Sequence, residues 1–161
     1  MKKKKKMRLY KEPSPLYLYR KEIIWTMLTL AWLLFIYSNS MKTAGQSSAQ
    51  SQLVLRVVER ISAAAHVETG VTEHLIRKTA HFAEYMVLGM LMTQTVRAWG
   101  VFLSHQLWIV PLSGFLMASA DEIIQLFFDG RSGQFTDVLL DFAGVAAGLA
   151  FCQLLHHVIN R

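Results

Sequence analysis

Cysteine is almost missing from this chain. Cys152 is the only one in 161 residues, so no internal disulfide can form, and its apolar surroundings suit a small buried filler. Charge is scarce as well: 17% of the residues are Asp, Glu, Lys or Arg, against about 25% in soluble domains, which points toward lipid. Beyond residue 22 the balance is eight Lys/Arg against nine acids. That leaves no extended basic face to neutralise phosphates, and nucleic acid is excluded as a partner. The chain also lacks a glycine-rich nucleotide loop or coenzyme fingerprint, and Ser38, Ser40 and Ser132 sit in no nucleophile elbow or triad pattern. No cofactor is expected.

What the chain does have is apolar length. Hydrophobic residues make up 53% of it. Residues 23–41 carry no charge over 19 positions, enough to cross roughly 30 Å of hydrocarbon. The run exceeds a signal-peptide core and ends at Ser38-Asn39-Ser40 without a clear small-residue cleavage pattern, so it is expected to be retained. Three further spans are predicted at about 79–96, 106–128 and 138–155. The third holds Pro111 as an expected kink, and the fourth carries a Gly144-x-x-x-Gly148 pair suited to close helix approach. The expected fold is all-α: a four-helix transmembrane bundle over 23–161, preceded by a basic tail at 1–22.

Direction follows from the cations. Nine Lys/Arg against two acids crowd residues 1–22, which marks that tail as cytoplasmic; four spans then return the C-terminus to the same side, with Arg97 in the short inner loop. Lys42, Arg56, Arg60, Arg77 and Lys78 fall in the outer segment 42–78 and oppose this bias, but the first helix usually dominates. Within that segment, 45–52 (GQSSAQSQ) suits a flexible polar stretch. From Leu53 to Val67, apolar residues recur at helical spacing. An amphipathic helix is expected there, lying on the outer membrane surface or capping the bundle.

The chemistry lies in the intramembrane acids. A carboxylate at membrane depth costs about 2.5–3.5 kcal/mol, so unneeded ones are scarce. Here Glu84, Asp121, Glu122 and Asp141 all fall within spans. The expected topology brings them to one depth on the outer side, together with Arg77, Lys78, His81, Tyr85, Gln125, Arg131 and Asp137. Lys78, His81, Glu84 and Tyr85 follow one helical face, while Asp121 and Glu122 point about 100° apart. Asp121, Glu122 and His81 are the residue types that general acid–base chemistry would need. His81-x-x-Glu84 is the one spacing with metal-ligand character, and alone it is too little to predict a metal.

Two stretches resemble the signatures of the VanZ-like membrane proteins. One is Arg77-Lys78-Thr79-Ala80-His81-Phe82-Ala83-Glu84-Tyr85 with Leu88-Gly89. The other is Asp121-Glu122-Ile123-Ile124-Gln125-Leu126-Phe127, then Gly130-Arg131-Ser132-Gly133, Asp137 and Gly144. The serines beside Asn39 resemble a third, weaker feature. Asp141 departs from the Asn common at its position in the family, and residues 42–71 match nothing in it. The resemblance implies a bacterial plasma-membrane protein and, through the family's namesake, low-level resistance to teicoplanin, a lipid-tailed glycopeptide. The expected activity is binding or shielding of an anionic, amphiphilic envelope component, either a membrane lipid or a lipid-linked cell-wall component. The alternative is an embedded acid–base enzyme acting on a lipid-linked phosphate.

Overall fold

The computed structural model describes residues 18–66 and 70–160. They form five helices and, among the described residues, no strand: α1 Arg20–Ser40, α2 Ala44–Ala64, α3 Glu73–Ala98, α4 Leu103–Gln125 and α5 Phe135–Ile159. Most of the basic tail, residues 1–17, lies outside the described residues, as does Val67. Three helices, α1, α4 and α5, are long and apolar enough to cross a membrane. In α3, polar residues interrupt the apolar run through most of its first half.

The pattern of exposure is inverted relative to a water-soluble bundle. Trp108, Leu112 and Leu116 on α4 and Leu154 and Val158 on α5 are exposed, whereas Asp121, Asp141, Thr93 and Gln106 are buried. Apolar faces turned outward with polar groups held inside are what a lipid surround requires.

The core forms where α3 and α5 pack against each other, with α4 and α1 alongside. Glycine sets this spacing. A Cβ added at Gly144 would stand 2.5 Å from the Phe82 carbonyl oxygen, and one at Gly148 would strike that of Met86. From the other side, Gly89 lies against the backbone of Val145. The small-residue pair on α5 thus brings two backbones together, as its spacing suggested. Contacts climb both helices in the same direction, from Lys78 with Asp137, through Tyr85 with Gly144, to Met90 with Cys152, so α3 and α5 run parallel. Cys152 is buried, as its setting suggested.

Three expectations need correction. Residues 45–52 are not a flexible stretch, because α2 begins at Ala44. Its start is fixed by a capping box in which Thr43 Oγ1 accepts from the Gln46 backbone N–H and Gln46 Oε1 accepts from that of Thr43. The third span ends at Gln125 rather than Phe128, where the chain turns. Arg97 is in the last turn of α3, not in the loop. There it donates to the side chain of Gln153 and to the Cys152 carbonyl, giving the end of the bundle opposite the acids a polar network of its own. The chain of α4 passes through Pro111 as one helix.

Candidate functional site

The eleven predicted site residues come to the same end of the bundle, in two layers. The upper layer forms around the α4–α5 connection, residues 126–134. Gly130 takes a positive φ of 73°, a turn geometry open to glycine. The following Arg131 reaches back to the α1–α2 corner: Nε donates to the Lys42 carbonyl at 3.1 Å and Nη2 to that of Asn39 at 3.3 Å. The Ala44 backbone N–H donates to the Asp129 carbonyl at 3.1 Å, so connection and corner are strapped together from both sides.

Beneath this strap is a small, partly open cavity of about 100 Å³. Its cationic lining is Arg77, Lys78 and Arg131, with His74 and His81 beside them. These cations are not equivalent. Lys78 is paired with Asp137 at 2.7 Å. Arg131 has no carboxylate within ion-pairing distance among the described residues; Nη1 donates to the neutral Gln125 Oε1 at 3.4 Å. Burial pushes the Arg131 guanidinium below its usual range, Arg77 pushes it the same way, and Asp121 and Glu122 pull against both.

Glu122, on the cavity wall, is tied at both oxygens. Oε2 accepts from the Gln134 backbone N–H at 2.8 Å and Oε1 from Gln125 Nε2 at 3.1 Å. Gln125 Nε2 also lies 3.3 Å from Asp121 Oδ2, so this one amide links two acids and a guanidinium. A second cavity under α2, of about 130 Å³, shares Arg77, His81 and Arg131 with the first and adds Glu84. Glu84 Oε1 accepts from Asn39 Nδ2 at 3.0 Å, and Asn39 Oδ1 accepts from Lys42 at 2.8 Å.

The lower layer lies deeper, off both cavities. Asp121 on α4 and Asp141 on α5 are fully buried and stand near His81 of α3. Tyr85, a predicted site residue, is also fully buried, with its hydroxyl 3.5 Å from the Met117 carbonyl; it belongs to the core.

Of the eleven predicted site residues, Arg77, Lys78, His81, Glu122, Gln125, Arg131 and Asp137 line the first cavity, Glu84 the second, and Tyr85, Asp121 and Asp141 neither. Sequence reasoning missed His74 and Lys42, and took Asn39 only as part of a weak motif. A polar Asn at the end of an apolar helix was the available signal, since such a residue needs a partner.

A sequence model of the VanZ/LLP1 family matches residues 24–156, from the start of α1 to near the end of α5. No curated protein and no solved structure matches significantly. The match spans most of the chain, which therefore belongs to the VanZ/LLP1 family and is a membrane protein.

Proposed function

We propose that this member of the VanZ/LLP1 family binds the anionic headgroup of an amphiphilic envelope molecule at the outer leaflet. In this reading α1, α3, α4 and α5 cross the plasma membrane with both termini in the cytoplasm, and the cavity opens on the far side. The 26 residues of α3 extend about 39 Å, long enough to span. Its Leu88 and Met92 are in the core, so its polar half can be carried by partners rather than by lipid.

One observation carries the proposal: a half-buried Arg131 held by neutral acceptors, with Arg77 on the same cavity and no carboxylate paired to either among the described residues. Two guanidiniums that repel each other under a strap are best satisfied by a shared anion. The planar fork of arginine suits phosphate or carboxylate oxygens. α2 supports an amphiphile over a soluble anion. Its Leu53, Val57 and Ile61 are exposed beside the cavity layer, an apolar face fitted to the membrane surface. A lipid-linked wall precursor, a phospholipid headgroup and a lipid-tailed glycopeptide such as teicoplanin all meet this description. The acid–base alternative is weaker, because both oxygens of Glu122 already hold structural hydrogen bonds.

The test is native mass spectrometry of the protein in nanodiscs, titrated with a polyprenyl pyrophosphate and with a neutral lipid of matched chain length. Wild type should retain the pyrophosphate selectively. Arg131→Ala should lose at least about tenfold in affinity, since a hydrogen bond to a charged group contributes about 1.5–3 kcal/mol. Equal retention of both lipids, unchanged in Arg131→Ala, would overturn the reading. In cells lacking the protein, wild type should lower teicoplanin potency and leave a tailless glycopeptide unaffected.

A further inference from the structure

Three helices each deliver one potential ligand to a single point below the cavity: His81 from α3, Asp121 from α4 and Asp141 from α5. Their nearest ligand atoms all lie within 4.8 Å of one another. Both aspartates are fully buried. Asp141 Oδ1 and Oδ2, Asp121 Oδ1 and His81 Nδ1 have no hydrogen-bond partner among the described residues. A native interior seldom leaves one such atom unsatisfied, and four at one point call for a common partner.

Neighbouring cations do not supply it. Lys78 is engaged with Asp137, and Arg131 bonds to Lys42, Asn39 and Gln125. Protons alone do not supply it either. A protonated carboxyl is a donor in need of an acceptor, and a protonated His81 comes within ion-pairing range of Asp141 Oδ1 alone, at 3.6 Å and beyond hydrogen-bond length, which leaves Asp141 Oδ2 and Asp121 Oδ1 unpartnered. That separation suits two donors on one ion, and the wider spacings of the group, up to 4.8 Å, would shorten as the ion is bound. With metal–ligand bonds of about 2.0–2.2 Å, the edge of a tetrahedron is about 3.4 Å.

We propose that His81, Asp121 and Asp141 bind one divalent transition-metal ion, with Zn²⁺ the ion their donors fit best. Two carboxylates and a dication cancel in charge, which removes the cost of two buried acids at membrane depth. The imidazole favours Zn²⁺, and Mn²⁺ or Fe²⁺ after it, over Mg²⁺ and Ca²⁺, which prefer oxygen alone. The fourth position falls to water or to Ser40 of α1, whose buried hydroxyl lies beside Asp121. Bound there, the ion ties α3, α4 and α5 together. The His81-x-x-Glu84 spacing pointed elsewhere: Glu84 is occupied by Asn39, and the partners of His81 come from other helices.

The experiment is metal analysis and thermal unfolding of the full-length protein in detergent, with no metal-affinity step in purification. After EDTA treatment and titration with Zn²⁺ alone, wild type should take up about one equivalent, and its Tm should rise by roughly 5 °C. His81→Gln and Asp141→Asn keep side-chain volume and should lose both effects, while Asp129→Asn should keep them. A wild type that binds neither Zn²⁺, Mn²⁺ nor Fe²⁺ overturns the proposal, and so does uptake unchanged in the two ligand variants. If the variants do not stay monodisperse, wild type decides alone: a Tm indifferent to all three ions overturns it. Because Asp121 and Asp141 line neither cavity, lipid retention in the Asp141→Asn protein separates failure here from failure of the anion site.

Discussion

Gln125 has more at stake than any charged residue around it. Its amide nitrogen serves Asp121 and Glu122 and its oxygen serves Arg131, all from a side chain that is 4% exposed. Gln125→Leu keeps the bulk but strips partners from three ionisable groups at once, at about 1–3 kcal/mol for each buried group left unsatisfied. Lys78→Ala breaks a shorter contact, yet both members of that pair are 30% exposed, so solvent covers much of the loss and about 1 kcal/mol is expected. Unfolding titrations in detergent should therefore rank Gln125→Leu as several-fold more destabilising than Lys78→Ala; the reverse order would mean that the amide bridge carries little. The charge pairs themselves were only partly legible in the sequence. Helical spacing puts Lys78 and His81 on one face, but Asp137 and Asp141 come opposite them through a packing of α3 on α5 that no local pattern encodes.

At the scale of the helices, the glycine contacts between α3 and α5 determine the rest. Valine at 148 must displace the Met86 carbonyl, a backbone atom with little room to yield. Gly148→Val should cost about 1–3 kcal/mol by overpacking. Gly45→Ala, where a Cβ meets nothing within 4 Å, should be neutral or slightly stabilising. Matched unfolding curves of the two variants test the contrast. Uncharged apolar runs made α1, α4 and α5 plain in the sequence, because lipid demands them. α2 was legible only in its second half. Its first turns are Ser and Gln, which suit a loop by composition, and the evidence for helix lay in the reciprocal Thr43 and Gln46 bonds at its start.

For the whole molecule, orientation can be tested through the scarcity of cysteine. In a Cys152→Ser background, a membrane-impermeant maleimide should label Ser132→Cys in intact cells and label Asn160→Cys only after lysis; the opposite result would invert the proposed topology. The parallel pairing of α3 and α5 also bears on how the protein is made. α3 is too polar along its first half to favour lipid unaided, and the side chain that neutralises Lys78 lies 59 residues further along the chain. During synthesis α3 therefore reaches the membrane well before Asp137 and Asp141 exist. If α3 spans the membrane as proposed, it must wait in the translocation channel or at the bilayer surface until α5 emerges. In that topology biogenesis is a paired event, and a ribosome halted just after α4 would leave behind a chain whose third helix has nowhere settled to go.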